Sequence, residues 1–198
     1  KDWYVRHNPF GKPSFHHLVV RLQTGGNQSK IMQDQIKQLD IVLVRPQMGE
    51  NIGAAARAMW NFGLDQLSIV APRDGWPSQK AIAMASGAGR LLDEARHFDD
   101  VASAIADSHF TFATTARPRG LTKQIYSPED AMKLTAQKIG EGQKVSFLFG
   151  AERSGLENYD IALANALISV PVNPEFPSLN LAQCVLLLAY EWRLASQQ

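Results

Sequence analysis

The chain has 198 residues, a formal net charge of +1 and 45% hydrophobic residues. That length suits one domain with a real core, and no run of about 18 uncharged apolar residues could cross a bilayer. The single cysteine, Cys184, excludes an internal disulfide. Six of the 20 basic residues and two of the 19 acidic ones lie in residues 1–38, leaving 14 against 17 in the other 160. The remainder is slightly acidic, so a general nucleic-acid footprint is absent and any RNA contact must come from local patches. A soluble cytoplasmic protein with no membrane association is expected.

Residues 1–38 read as an atypical N-terminal extension or linker: Trp3, Tyr4, Phe10 and Phe15 follow no period, and 23–30 is a polar, glycine-containing stretch. The regular pattern occupies 39–198. The run IVLV at 41–44, followed by Pro46 and Gly49, predicts a buried parallel strand ending in a loop. An alanine-rich helix follows from Asn51 to about Asn61, stopped by Gly63. A strand is expected at 67–71, a loop at 72–77, a helix at 78–86 and a weakly patterned segment after 87–89. Then come a helix at 99–106, a strand at 109–116 and a helix at 128–139 with Pro128 in its first position. A strand at 144–150, a short helix at 158–165 and a strand at 167–172 complete the alternation. Ser178 is placed to cap a final helix from Leu179 that is apolar on nearly all sides, so burial on more than one face is expected. Strands alternating with helices argue for an α/β fold, a parallel sheet with helices on both faces.

Ligands in such sheets bind beyond the carboxyl ends of the strands. Four strand exits carry small or polar residues there: 45–53, 114–120, 149–156 and 172–180. Gly53 and its alanines allow close backbone approach. Arg57, one turn on, projects toward the loop end, where it either holds a phosphate or pairs on the surface with Glu50 or Glu94. Gly150 allows close approach beside the Glu152–Arg153 pair, and such a loop either cradles a nucleoside or turns a corner. Thr114, Thr115, Arg117 and Arg119 offer hydroxyls and guanidiniums suited to an RNA backbone. The five histidines show no metal-ligand spacing, so no metal is expected. No GxGxxG, P-loop or GxSxG pattern occurs, and Ser154 has no base near it in sequence.

Three segments, in order, resemble a known family: NIGAAAR at 51–57, LFGAERSGL at 148–156 and VPVNPEFPSLNLAQCVLLLAYE at 170–191. They are similar to the SPOUT superfamily of RNA methyltransferases, in its TrmH-like 2′-O-ribose branch and nearest its TrmJ-type members. The resemblance covers about Ile41 to Arg193. It implies a C-terminal deep trefoil knot and S-adenosyl-L-methionine as cofactor, held by Thr114, Thr115, Ala116, Gly150, Val170, Pro177, Ser178 and Leu179. Arg57, Asn51, Glu152, Ser178 and Asn180 match the family's catalytic positions, and Arg57, Arg117, Arg119 and Arg153 are the candidates for RNA binding. It further implies a homodimer packed through the last helix, and, beyond residue 198, the C-terminal extension that aids tRNA binding in TrmJ-type enzymes. The expected reaction is ribose 2′-O-methylation of a cytidine or uridine at position 32 of the tRNA anticodon loop. Ribosomal RNA, a catalytically silent RNA- or cofactor-binding member, and an ordinary doubly wound enzyme acting on a small nucleotide are the alternatives.

Overall fold

Short apolar runs separated by turn residues assemble into one sheet. The computed structural model describes residues 38–116 and 122–197. Its elements, in chain order, are β1 (Leu39–Val44), α1 (Gly49–Asn61), β2 (Leu67–Val70), α2 (Gln79–Ala85), α3 (Gly89–Asp93), β3 (Arg96–Phe98), α4 (Val101–Ala104), β4 (Phe110–Thr114), β5 (Ile125–Tyr126), α5 (Pro128–Gly140), β6 (Val145–Phe149), α6 (Asn158–Leu163), β7 (Ala166–Ile168) and α7 (Leu181–Ala195). The strand order is β3-β2-β1-β6-β4-β7-β5, with every pairing parallel. The expected extension at 1–38 lies, but for Gln38, outside the described residues.

Alternation along the strands feeds two cores. Leu39, Ile41 and Leu43 join Ile52 and Met59 of α1, Met132 of α5 and Leu188 and Trp192 of α7. Val42, Val44 and Leu148 turn to the other face, against Val101 of α4 and Ile161 of α6. Burial on both faces explains why β1, β2 and β6 are apolar at every position but one, Asp40, Ser68 and Ser146, without a polar period.

The structure corrects three boundaries. The weak segment after residue 89 holds α3 and β3, and a two-residue strand, β5, precedes α5. β3 and β5 are the two edges of the sheet, where a strand needs neither length nor a two-sided apolar pattern. The strand expected at 167–172 ends at Ile168; Val170 and Val172 instead line a cavity described below, and Pro171, with no N–H, cannot extend the ladder.

α1 and α2 touch backbone to backbone. A Cβ on Gly53 would lie 2.1 Å from the Ala81 carbonyl oxygen, and one on Gly49 would lie 2.2 Å from Ser78 Oγ. Two glycines one turn apart on α1 thus make the groove into which α2 settles. At the opposite, amino end of the sheet, fully buried Asp40 accepts from Ser68 Oγ at 2.9 Å and Arg96 Nη2 at 2.7 Å. Arg96 and Lys144 also meet Asp107, at 3.5 and 2.5 Å. Burial pushes the Asp40 carboxyl up to about 6, against the pull of Arg96, Ser68 and Lys144. Among the described residues no helix is long and apolar enough to cross a membrane.

Candidate active site at the carboxyl ends of the strands

Three of the four strand exits are tied together through Glu152 and Asn51. Glu152, after β6, accepts from Gln47 N–H at 2.8 Å, Met48 N–H at 3.2 Å and Asn51 Nδ2 at 2.8 Å. Met48 is the N-cap of α1 and its own side chain caps nothing, so Glu152 supplies from another strand exit the acceptor that the start of this helix lacks. Burial alone would raise the Glu152 carboxyl, but hydrogen bonds from Asn51 and from the Gln47, Glu152 and Met48 amides outweigh it and hold it below its ordinary value. Asn51 in turn accepts from Asn180 Nδ2 at 3.0 Å.

Asn180, not Ser178, caps the last helix. Its Oδ1 accepts from Ala182 N–H at 2.9 Å and Gln183 N–H at 3.3 Å, so α7 begins at Leu181 and the expected cap at Ser178 is corrected by two residues. With the cap at Asn180, Ser178 and Leu179 stay outside the helix, on the wall of the cavity.

That cavity, about 520 Å³, opens where β4, β6 and β7 end. Thr114, Thr115, Ala116, Gly150, Val170, Pro177, Ser178 and Leu179 all line it. Gly150 is required by its neighbours: a Cβ there would lie 2.2 Å from the Gly155 carbonyl carbon, because 151–155 folds back as a tight turn closed by Gly155 N–H to Ala151 O at 2.9 Å. The Thr114 hydroxyl donates to Leu148 O at 2.9 Å, holding β4 against β6. Glu152 and Arg153 are the charged residues of the lining.

The sequence reading missed several walls. Cys184, on the first turns of α7, lines the cavity, and burial pushes its thiol up to about 12, so it stays protonated. Asn158 and Ile161 of α6 form another side. α6 is anchored by Arg45, which holds a left-handed φ of 48° at the end of β1 and pairs with the buried Asp160 through both terminal nitrogens. Asp160 also accepts from Glu157 N–H at 2.9 Å at the helix start. The signal available in sequence was an arginine at a strand exit and an aspartate in a first helical turn, 115 residues apart.

Arg57 is not brought to the cavity of its own chain. It is exposed on α1 and, among the described residues, makes no hydrogen bond or ion pair. The surface pairings considered for it are not made: Glu50 meets Lys80 at 3.4 Å and Glu94 meets Arg90 at 2.7 Å. Six residues of helix place Arg57 about 240° around α1 from Asn51. Arg117 and Arg119 lie outside the described residues. α7 carries a second apolar stripe: Leu186, Leu187, Tyr190 and Leu194 are 38–47% exposed, while Val185, Leu188 and Trp192 are buried.

Comparison with known proteins gives this geometry a family. Residues 38–190 match the SpoU rRNA methylase family. The chain is 36% identical over 167 residues to an uncharacterized tRNA/rRNA methyltransferase, LasT, of Escherichia coli, covering 81% of this chain and 70% of that protein. It is 37% identical over 164 residues to the tRNA (cytidine/uridine/adenosine-2′-O-)-methyltransferase TrmJ of Pseudomonas aeruginosa, covering 83% of this chain and 62% of the relative. The chain thus spans 62–70% of the length of these relatives. A crystal structure of TrmJ from Z. mobilis superposes with a TM-score of 0.74 at 58% identity, over 80% of this chain and 70% of that one. A probable methyltransferase from Bordetella pertussis gives 0.76 at 33% identity, over 82% and 98%. With its parallel sheet, its cavity and its similarity to these relatives over most of its length, the chain belongs to the SpoU rRNA methylase family.

Proposed function

We propose that the chain is an S-adenosyl-L-methionine-dependent RNA ribose 2′-O-methyltransferase acting on tRNA, at a cytidine or uridine at position 32 of the anticodon loop. The observation that carries this reading is the tie between three motif-bearing exits, Glu152 to Asn51 to Asn180, beside a cavity lined by the fourth. The cytidine/uridine tRNA methyltransferases among the relatives support the substrate class.

The cavity fits the cofactor. Its 520 Å³ falls within the range of about 300–1,000 Å³ of small-molecule sites. Its walls mix apolar side chains with hydroxyls and amides, with a single carboxylate and a single guanidinium, which suits a nucleoside carrying a sulfonium and an amino-acid head better than a polyphosphate. When bound, S-adenosyl-L-methionine supplies an electrophilic methyl group that a ribose 2′-oxygen accepts as the carbon–sulfur bond breaks.

The chain's own residues position and neutralise. Thr114 to Ala116, Gly150, Val170 and Pro177 to Leu179 form the cofactor walls. Glu152, Asn51 and Asn180 keep those walls in register with the start of α1. Arg57, Arg117, Arg119 and Arg153 receive RNA phosphates. A guanidinium keeps its proton, so Arg57 holds phosphate and stabilises charge developing on the 2′-oxygen, and the proton leaves to water or phosphate. Because Arg57 points away from Asn51 in its own chain, it is offered to the cavity of a second copy, in a homodimer that covers the outer stripe of α7. The C-terminal knot, the division of the chain near residue 38 and a cytoplasmic location belong to the same reading.

The test is transfer of labelled methyl to unmodified total tRNA, with the modified nucleotide mapped and Arg57→Ala run beside the wild type. Label in one anticodon-loop ribose, lost in the variant, is expected. Label in ribosomal RNA alone would move the substrate to the second reading, which the family description favours. No label in either RNA, with cofactor still bound, would overturn the assignment of an activity.

A further inference from the structure

Phe176 is the most exposed large apolar side chain among the described residues, at 74%. A lone exposed apolar residue is ordinary; the setting of this one is not. It stands on an ordered turn: its own N–H donates to Asn173 O at 2.9 Å, and the Glu175 N–H donates to Asn173 Oδ1 at 3.0 Å. The two residues after it, Pro177 and Ser178, line the cavity, and Asn180 is bonded to Asn51. Fixed backbone therefore presents a flat aromatic ring at the rim, on the same segment that builds the cofactor wall. Glu175 beside it repels a phosphate, which leaves the ring face as what the tip offers.

Resting on the RNA reading above, we infer that Phe176 is the platform on which the base of the target nucleotide stacks while its ribose faces the cavity. Stacking on an aromatic ring tolerates different bases because each has a π face. Loop nucleotides are the RNA elements whose bases can be splayed out onto such a ring. Phe176 is a positioning residue: it holds the base and so sets where the 2′-oxygen lies, and takes no part in proton or methyl transfer.

The experiment measures methyl transfer to an unmodified tRNA transcript and, separately, binding of S-adenosyl-L-methionine, for Phe176→Ala, Phe176→Leu and Phe176→Trp. Phe176→Ala is expected to raise the KM for tRNA about tenfold, the scale of a lost base–aromatic stack, with cofactor affinity unchanged. Phe176→Trp should restore it and Phe176→Leu should not. A transcript abasic at the mapped target nucleotide should lose as much with the wild type as Phe176→Ala loses on intact tRNA, and lose nothing further with Phe176→Ala. A KM for tRNA unchanged in Phe176→Ala would overturn the inference. Full rescue by leucine would also do so, by showing that any apolar side chain serves and no ring is needed, as would a parallel loss of cofactor affinity, by making it a cavity wall. If the wild type binds cofactor but neither binds nor methylates RNA, the RNA reading itself falls, and this inference with it; if the wild type is active and Phe176→Ala is too, this inference alone falls.

Discussion

Asn51 and Asn180 meet side chain to side chain across 129 residues of sequence, Asn180 Nδ2 donating to Asn51 Oδ1 at 3.0 Å. Each has a second duty: Asn51 donates to Glu152, and Asn180 caps α7. The pair thus joins the starts of two helices that also pack together through Phe62 and Tyr190, whose rings meet edge-on at 5.8 Å.

The central member of that chain is Glu152, and Glu152→Gln is expected to separate its charge from its shape. An amide has one oxygen for three donors, and its NH2 faces either the Gln47 N–H, in place of Oε2, or the Met48 N–H and Asn51 Nδ2, in place of Oε1. A loss of about 1–3 kcal/mol in denaturant unfolding is expected, the scale of a hydrogen bond to a charged group, with methyl transfer reduced by more than about tenfold. The Glu152 carboxyl lies below its ordinary 4.5, so its stabilisation is present above that pH and is lost as pH falls through the lower folded value. Acid unfolding curves of wild type and Glu152→Gln should therefore converge at low pH. Curves that stay parallel would show that the charge is not what stabilises the contact.

Gly53→Ala tests the seating of α2 on α1. Helix propensity alone would favour alanine by about 1 kcal/mol. The added Cβ would sit 2.1 Å from a backbone oxygen, a contact that cannot be relieved by a side-chain rotation. Net destabilisation of about 1–3 kcal/mol is expected from overpacking. Gly140→Ala, in the last turn of α5 with nothing within 4 Å of its Cβ, should be neutral or slightly stabilising in the same denaturation assay. Equal effects at the two sites would refute the steric argument.

Asp40 predicts a pH dependence of the opposite sign. Its folded carboxyl is raised to about 6 from 3.8, so the contribution is fully present below about 4 and is lost as pH rises through about 6. The shift corresponds to about 3 kcal/mol less stability at pH 8 than the neutral carboxyl would give. Asp40→Asn keeps an acceptor for Ser68 and Arg96 and should remove the decline between about pH 4 and 7, measured as the urea midpoint. A wild-type midpoint flat over that window would contradict the burial argument.

Leu187→Glu places a charge in the middle of the outer stripe of α7, beside Leu186, Tyr190 and Leu194. The wild type should sediment as a dimer and the variant as a monomer, with the thermal transition of the isolated chain little changed because residue 187 does not face the core. In the proposed homodimer Arg57 serves the cavity of the second copy, so methyl transfer should fall with dimer content. A variant that is monomeric and fully active would remove the need for a second copy.

Much of the site was legible because its chemistry sits in contiguous segments: all eight expected cofactor contacts line the cavity. What escaped were relations between segments. A cap at Ser178 and one at Asn180 look alike in sequence, and only the reach of Asn180 to Ala182 and Gln183 decides between them. The Arg45–Asp160 pair joins a strand exit to the first turn of α6, and no local pattern pairs the two. β3 and β5 carry no apolar period because, at the edges, they have little to bury. Conversely, Arg57 is prominent in sequence and yet solitary among the described residues.

The sheet carries its ionic cluster at one end and its cavity at the other. Asp40, Ser68, Arg96, Asp107 and Lys144 gather where the strands begin, while Glu152, Asn51 and Asn180 gather where they stop. A variant with altered stability toward base can therefore be sought in the first group, with the cavity end left intact.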